Sequence, residues 1–361
     1  MEASGKDPAG REVPLRDWRR TVRHDWADIR GFYLDEEQKT RLEKMDGFRR
    51  ALYQAFWLGR SLFLKLTPLR RVLLVVAFYL IFLVRISFNV GGTGIHLQIA
   101  QLGGAILVFI LMLELKDKLL ARSELAEGRA IQRRLLPDAR PLIPGWDVCL
   151  FSRPANDVGG DLIDCIHFDA GQHLLALGDV SGKGLSAALL MAKLQATIRA
   201  LCSETTPLAE LGGRINRIFR RDGISNRFAT LAVLEVRNAD GAVRLLNAGH
   251  TPPILVSGGV PRSLAKGGAA LGLLADAAYA VAEETLAPGD VLLVYSDGIN
   301  EARNAEGECF GNQRVAALAA GHARQGAAAL GQALLDAVQR FIGESSPDDD
   351  QTLLVLRRIG A

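Results

Sequence analysis

The sequence has little of what marks a disulfide-rich, zinc-binding or nucleic-acid-binding protein. Its 361 residues include only four cysteines, none in a Cys-x-x-Cys pair, and its six histidines do not cluster at metal-ligand spacing. We therefore expect reduced thiols and neither a disulfide framework nor a zinc site. The formal net charge is only +3, and the C-terminal part lacks a sustained basic stripe, which argues against nucleic acid as a partner.

Three further features are missing. No apolar h-region follows the first residues, so we expect no cleavable signal peptide. No convincing Ser-His-Asp or Cys-His arrangement is present, so a protein nucleophile is not expected. In the Gly-rich segment 178–184, three residues separate Gly178 from Gly182-Lys183, whereas a nucleotide-binding P-loop has four between its first Gly and Gly-Lys. Gly184 also stands where that motif has Ser or Thr, so a nucleotide site is not expected.

The N-terminal third is basic and apolar. The length of the whole chain, 361 residues, suggests two units, and its overall hydrophobic content of 49% suggests a large core, a membrane segment or both. We interpret residues 1–71 as a cytoplasmic basic and amphipathic region, because residues 47–71 contain six cations and no acid. Residues 51–66 predict a helix that lies in the membrane interface or packs on the protein's own core.

Residues 72–113 predict a transmembrane helical hairpin. The apolar run 72–84 is long enough to span only if the helix continues to Val90, with Arg85 reaching toward the interface. A second apolar run covers about 97–113. The competing interpretation is a buried helical hairpin in a soluble dimer.

The charges around this hairpin predict its orientation. Arg70, Arg71, Lys116 and Lys118 flank it, and the turn between the runs has no formal charge. The positive-inside rule then places both termini in the cytoplasm, which predicts a multi-pass protein of the inner membrane with a cytoplasmic catalytic domain. Residues 114–137 predict a linker helix that continues the second run and ends at Pro137. Residues 114–136 are a candidate contact for a homodimer, with too few heptads to predict a coiled coil.

Residues 138–361 predict one globular domain of α and β structure. Short turns such as Asn238–Gly241 join several strands, which indicates antiparallel pairing rather than a Rossmann-like sheet. Strand-like runs cover 147–152, 173–177, 229–236, 243–247, 291–295 and 352–357. Helical stretches cover 185–202, 208–220 and 327–341.

Aspartates set against hydrophobic runs are the most informative feature of this domain. They are Asp161, Asp179, Asp297 and one residue of the run 348–350. An isolated aspartate in such a place is usually a turn or cap residue. Four of them in Gly-rich contexts at strand ends instead predict a carboxylate cluster. Such a cluster suits Mg²⁺ or Mn²⁺, and two such ions would activate a water molecule for hydrolysis.

The same segments carry a resemblance to the PPM metal-dependent protein phosphatases, in their SpoIIE/RsbU-like branch. The resemblance covers most of residues 129–358. The matching segments are Arg129–Pro137, Pro154–Asp161, Gly178–Gly184, Phe228–Leu231, Asn247–His250, Pro288–Asp290, Tyr295–Gly298, Glu301–Asn304 and Asp349–Thr352.

The resemblance implies a fold of two packed antiparallel sheets flanked by helices, and a site that holds two Mn²⁺ or Mg²⁺ ions. Asp179 would bridge the ions, and Asp161 with the Val180 carbonyl would serve one of them. Asp297 and Asp349 would serve the other, because the family pattern is Asp-Asp-x-Thr. Asp350 is a possible substitute for Asp349, and Asp164 a possible supporting residue.

The implied activity is removal of phosphate from phosphoserine or phosphothreonine of a partner protein, with a STAS-type anti-sigma-factor antagonist as the expected substrate. Asp161, Asp179 and Asp297 are the predicted catalytic residues. Two alternatives stay open: a catalytically silent partner-binding module of the same fold, and a metal-dependent nuclease or nucleotidase. His250 is interpreted as a residue that fixes a turn rather than as a general acid.

Overall fold

The structure is a computed structural model. It describes residues 46–82, 100–168, 171–203, 206–222, 227–237 and 241–360, with the short stretches 5–6, 12–13, 41, 86–90 and 93–97. The chain divides into two compact units, residues 1–120 and 121–361. Most of the predicted amphipathic segment before residue 46 lies outside the described residues. All four cysteines are free thiols, as predicted.

The N-terminal unit consists of helices and two-stranded β-hairpins. Its elements are β1 (Gly5–Lys6), β2 (Glu12–Val13), α1 (Gly47–Lys65), α2 (Pro68–Phe82), β3 (Ile86–Val90), β4 (Thr93–Leu97) and the beginning of α3 (Ala100–Leu135). Helix α1 confirms the predicted helix at 51–66. The single helix α3 confirms that the second apolar run continues without interruption into the linker segment.

The predicted extension of the first apolar helix to Val90 is wrong. Helix α2 ends at Phe82, and residues 86–90 pair with 93–97 as two antiparallel strands. The physical reason is visible in Ile86–Val90, where apolar and polar residues alternate with the period of a strand rather than that of a helix. Among the helices that the structure describes, none combines the length and apolar content needed to cross a bilayer.

Helices α2 and α3 approach each other closely. A side chain at Gly103 would come within 2.7 Å of the Ala77 carbonyl oxygen, so only glycine permits this backbone separation. At the other end of the pair, Arg70 forms ion pairs with Glu114 at 2.5 Å and Asp117 at 2.6 Å. The two contacts fix the helices as a hairpin.

The C-terminal unit contains two five-stranded antiparallel sheets. The first has the strand order β11-β10-β13-β14-β5, and the second has the order β12-β9-β8-β7-β6. The strands are β5 (Trp146–Arg153), β6 (Asp161–His167), β7 (Gln172–Val180), β8 (Ala229–Arg237), β9 (Ala242–Ala248), β10 (Ile254–Ser257), β11 (Val260–Ser263), β12 (Val281–Thr285), β13 (Val291–Tyr295) and β14 (Gln351–Arg358). The helices are α4 (Leu185–Leu201), α5 (Leu208–Asp222), α6 (Asp297–Asn300), α7 (Asn312–His322) and α8 (Ala327–Ile342).

Three apolar layers hold these elements together. One core lies between the two sheets, where Leu177 of one sheet and Leu354 of the other are fully buried. A second core joins α4 and α5 to the second sheet, and a third joins α7 and α8 to the first. Helix α5 shows how the sequence encodes this, because its buried residues Leu208, Leu211 and Ile215 recur at helical spacing.

The fold confirms the predicted pair of antiparallel sheets with flanking helices. All six predicted strands and all three predicted helices are present, with ends shifted by a few residues. The sequence analysis did not predict β6, the short strands β10 to β12, or helix α7. The predicted turn at 238–241 lies outside the described residues, apart from Gly241.

Candidate active site

Two of the predicted site residues face each other across neighbouring strands. Asp161 is the first residue of β6, and Asp179 is the penultimate residue of β7; their Cα atoms are direct partners in the antiparallel register. Both side chains point toward the space between the sheets, since Ile163 and Leu177, two residues from each aspartate, lie in the core between the sheets. The register alone therefore brings together two carboxylates that are 18 positions apart in sequence.

The pKa of each carboxyl in this pair is raised. For Asp161, burial is the largest cause, followed by the negative charge of Asp179. Burial also raises the pKa of Asp179 to about 7, with further contributions from Asp297 and Asp349. Several carboxylates thus repel one another in a poorly hydrated site, which is the electrostatic situation that a bound cation relieves.

The first sheet supplies the other two predicted carboxylates. Asp297 begins α6 directly after β13, and Asp349 precedes β14. With Asp179 they line one cavity of about 380 Å³, which we call the aspartate cavity. Burial, then the charge of Asp349, raises the pKa of Asp297. Lys183 contacts Asp349 at 3.1 Å and is the counter-ion at the mouth of this cavity.

Asp350 does not substitute for Asp349. Its side chain accepts hydrogen bonds from the backbone N–H groups of Ala155 at 2.8 Å, Gly160 at 2.6 Å and Asp161 at 3.4 Å. It is 9% exposed. The carboxylate therefore ties the segment before β6 to the start of β14, which positions Asp161 instead of serving as a free ligand.

Asp164 is not a supporting residue of this site. It lies three positions after Asp161 on the same strand, so its side chain points to the opposite face of the sheet. There its carboxylate accepts two hydrogen bonds from Arg199, each 2.7 Å long, and it has no exposed surface. The earlier interpretation is corrected because strand alternation separates the two aspartates.

The predicted carbonyl ligand lies close to the Asp161–Asp179 pair. A methyl group at Gly160 would come within 2.9 Å of the Val180 carbonyl oxygen, so this approach depends on glycine. Val180 itself is fully buried, and its N–H donates to the Gly160 carbonyl at 3.3 Å.

His250 supports the wall of the aspartate cavity. Its Nδ1 lies 2.8 Å from the hydroxyl of Thr230, which is the direct strand partner of Asp179. Its backbone N–H donates to the Asn247 side chain at 2.8 Å, as expected for a residue that fixes a turn. Burial lowers the pKa of His250 to about 4, so the imidazole is neutral at pH 7 and has no proton to give as an acid.

Sequence reasoning missed two small residues that join the halves of the site. The Ser296 hydroxyl donates to the Asp350 carbonyl at 3.1 Å and accepts the Thr352 N–H at 3.0 Å. Neither residue has exposed surface. Both lie inside motifs quoted from the sequence, but only the pairing of β13 with β14 shows that they contact each other.

The donor set fits hard divalent cations. The Oδ2 atom of Asp161 is buried and has no hydrogen-bond partner, which is costly unless a cation contacts it. Carboxylate and carbonyl oxygens are the ligands that Mg²⁺ and Mn²⁺ prefer. Within the described residues, however, no three His, Cys, Asp or Glu side chains are grouped around a single point. The carboxylates share a region without enclosing one centre: Asp161 and Asp179 are strand partners, and Asp349 contacts Lys183. The individual ligand roles stay predictions.

A comparison with models of known protein families shows which family this chain belongs to. The model of the family described as stage II sporulation protein E (SpoIIE) matches residues 169–359, more than half of the chain. The chain belongs to the SpoIIE family. Its C-terminal unit is a SpoIIE-type domain of the PPM phosphatases, a family that uses Mn²⁺ or Mg²⁺.

Relatives of this SpoIIE-family chain include two curated bacterial proteins. Protein IcfG of Synechocystis is 29% identical over 230 residues, which cover 56% of this chain and 36% of IcfG. The phosphoserine phosphatase RsbU of Bacillus subtilis is 25% identical over 239 residues, covering 66% of this chain and 70% of RsbU. The chain therefore spans only about a third of IcfG and a larger part of RsbU.

A solved structure shows the same fold. The SiaA-PP2C domain of Pseudomonas aeruginosa is 24% identical, with a TM-score of 0.59, and the match covers 67% of this chain and 98% of that domain. At this level of identity the similarity establishes the architecture of the SpoIIE-type unit, including the two packed sheets, and nothing about its substrate.

Proposed function

We propose that this protein is a metal-dependent phosphatase that hydrolyses phosphoserine or phosphothreonine on a partner protein. The observation that carries the proposal is that Asp179, the strand partner of Asp161, lines one cavity with Asp297 and Asp349 of the other sheet. Membership of the SpoIIE family supports it. Bound divalent cations would activate water as Lewis acids and would offset charge on the phosphoryl oxygens.

The chain's own residues would hold the substrate. Lys183 and Lys266 line the aspartate cavity and supply positive charge for a phosphate group. Asn300 and Asn312 line the same cavity and offer neutral hydrogen-bond donors. Asp161 and Asp179, with the Val180 carbonyl, would hold one cation, and Asp297 with Asp349 the other.

The test is turnover by the purified full chain. We expect release of phosphate from a phosphoserine peptide when Mn²⁺ is added, and none in EDTA. Asp179→Asn should abolish turnover and leave the circular dichroism spectrum unchanged. If the wild-type chain binds phosphoproteins but releases no phosphate with any divalent cation, it is a silent binding module; activity on nucleotides alone would favour a nucleotidase.

For the substrate, we propose a small STAS-type antagonist protein that carries one phosphoserine. The support is the relationship to RsbU, whose name describes a phosphoserine phosphatase. Incubation of the active chain with phosphorylated STAS proteins from the same cell, followed by mass spectrometry, would identify the substrate. Loss of phosphate from unrelated phosphoproteins at the same rate would argue against this choice.

For the N-terminal unit, we propose association with the inner membrane, with the catalytic unit in the cytoplasm. Large apolar side chains are exposed on α2 and α3, such as Phe82 at 70% and Leu111 at 67%. A contiguous surface of this kind is rarely left in water. Its test is flotation of the full chain with anionic lipid vesicles. Formation of dimers without flotation would instead support pairing through residues 114–136, where Leu115 and Ile131 are exposed.

A further inference from the structure

A second cavity lies beside the aspartate cavity; it includes Asp161, but its arginines have no role in the proposed reaction. It has a volume of about 350 Å³ and lies between the last turns of α3 and the end of β5. We call it the arginine cavity. It is lined by Arg129, Gln132, Arg133, Leu136, Phe151, Ser152, Arg153, Pro154, Gly159, Asp161 and Asp350.

The helical wall of the arginine cavity is fixed to the sheets by side-chain hydrogen bonds. The Gln132 amide donates to the Gly159 carbonyl at 2.7 Å and accepts the Gly159 N–H at 3.1 Å. Gln195 of α4, which is 3% exposed, donates to the Leu135 carbonyl at 2.9 Å. Because both ends of the wall are held, the cavity is a preformed feature of the C-terminal unit.

The lining combines positive charge with apolar surface. Arg129 and Arg133 lie four residues apart on one face of α3, and neither forms an ion pair with any residue that the structure describes. The Nε atom of Arg129 is buried without a hydrogen-bond partner. Arg153 donates only to the neutral side chain of Gln351. Three arginines thus line the same cavity as the apolar residues Leu136, Phe151 and Pro154.

The acidic residues in the lining do not neutralise these arginines. The Asp350 carboxylate is already engaged by backbone N–H groups of the segment before β6. Asp161 belongs to the carboxylate pair of the candidate site. Guanidinium groups that lack an acidic partner, next to apolar surface, favour a carboxylate carried by a protein segment over a small inorganic anion.

The two cavities share a boundary. Asp179 and Asp349 line the aspartate cavity, whereas their immediate neighbours Asp161 and Asp350 line the arginine cavity. Adjacent strands lie roughly 5 Å apart, and an extended peptide advances about 3.3 Å per residue. A substrate whose phosphoserine enters the first cavity would therefore place a residue only a few positions away in the second.

We propose that the arginine cavity is a docking site for an acidic side chain of the phosphoprotein substrate, which selects substrates with Glu or Asp near the phosphorylated serine. The proposal rests on the proposed phosphatase activity and names the substrate chemistry that this activity prefers. Arg129 and Arg133 bind the carboxylate, and Leu136 with Phe151 covers the aliphatic part of the segment.

The experiment compares Arg133→Glu with Arg134→Glu in the full chain. Both arginines are exposed residues of the last turn of α3, but only Arg133 lines the cavity, so Arg134 is a matched control. The substrates are p-nitrophenyl phosphate and phosphoserine peptides that differ only in Glu or Gln a few residues from the phosphoserine. Fluorescence anisotropy of the same peptides in the Asp179→Asn background reports binding without turnover.

We expect the wild-type chain to prefer the Glu peptides through KM. Arg133→Glu should raise KM for them about tenfold, as expected for loss of one charge-assisted contact of roughly 1.4 kcal/mol, and should remove the difference between Glu and Gln peptides. Any loss with p-nitrophenyl phosphate should be much smaller. Arg134→Glu should behave as the wild type does.

Equal effects of the two substitutions, or no preference for Glu in the wild type, would overturn the docking proposal while leaving the phosphatase activity in place. A chain that hydrolyses none of these substrates would refute the proposed function itself. In that case anisotropy still decides whether the arginine cavity binds acidic peptides.

Discussion

Asp179→Asn should make the metal-free protein more stable while it removes activity. Burial and the neighbouring carboxylates raise the pKa of Asp179 to about 7, against an ordinary value of 3.8. A shift of this size corresponds to about 4 kcal/mol of unfavourable free energy for the ionised form. Since Asp179 is partly exposed and shares its proton with Asp161, we expect a gain of about 1–3 kcal/mol in the free energy of unfolding.

The size of the stability gain from Asp179→Asn depends on pH. Because the folded protein holds the Asp179 proton more tightly than the unfolded chain, the wild type loses stability as pH rises from about 4 to about 7. The asparagine variant cannot titrate there. The advantage of Asp179→Asn should therefore be near zero at pH 4 and reach its full value at pH 8, where the melting temperature should rise by roughly 3–10 °C.

The melting temperatures of the wild type and Asp179→Asn in EDTA at several pH values test this prediction. Added Mn²⁺ should then stabilise the wild type but not the variant. Asp164→Asn is the matched control. Asp164 is fully buried on the neighbouring strand and is paired with Arg199, so its substitution should cost about 2–4 kcal/mol and leave the response to Mn²⁺ intact. An Asp179→Asn variant that is less stable than the wild type in EDTA at pH 8 would refute the electrostatic reasoning.

Three further outcomes are expected. Gly298→Ala would place a methyl group 2.0 Å from a backbone oxygen, so it should lower the free energy of unfolding by about 3 kcal/mol or more, measured by denaturant titration, and abolish turnover. The control is Gly321→Ala in α7, where the methyl group meets open space; it should be neutral or slightly stabilising in the same titration. His250 has a pKa of about 4 in the folded protein and about 6.5 unfolded, so it should lower stability by up to about 3 kcal/mol as pH falls through that window, and His250→Gln should flatten that part of the profile. Lys183→Gln removes the exposed counter-ion of Asp349, so it should change the free energy of unfolding by less than about 1 kcal/mol. It should raise KM for phosphopeptides several-fold at low ionic strength, and an unchanged KM would exclude a role in phosphate binding.

The central strands were predictable because their sequences are continuous apolar runs. β13 and β14 are almost entirely buried, and their residue types indicate this directly. Strand β6 was missed because it begins with Asp161 and includes Asp164, residues that usually mark loops. Their burial depends on a strand partner and on Arg199, both distant in sequence, so no local pattern could reveal it.

The residues of the candidate site were predictable to a similar extent. In the structure Asp179, Asp297 and Asp349 line one cavity, and Asp161 is the strand partner of Asp179. The sequence pattern indicated Asp161, Asp179, Asp297 and one residue of 348–350, and the family resemblance selected Asp349. Neither predicted the hydrogen bonds of Asp350 or the contact between Lys183 and Asp349, because these depend on which way adjacent side chains point. The helix through Val90 failed for a related reason, since hydropathy measures apolar content and not the period with which it alternates.

The three consecutive aspartates before β14 have separate tasks. Asp348 contributes a backbone carbonyl to Lys183, Asp349 lines the aspartate cavity and forms an ion pair with Lys183, and Asp350 accepts hydrogen bonds from distant backbone N–H groups. Deleting one of them would leave the sequence motif Asp-Asp-Gln-Thr intact, so a search for that motif would not detect the deletion. In the folded chain the same deletion shortens the connection from α8 to β14. The two remaining aspartates could keep their contacts with Lys183 and with the backbone N–H groups only if a shorter connection still reached β14. The number of aspartates at 348–350 therefore matters for the structure, even though the motif itself needs only two of them.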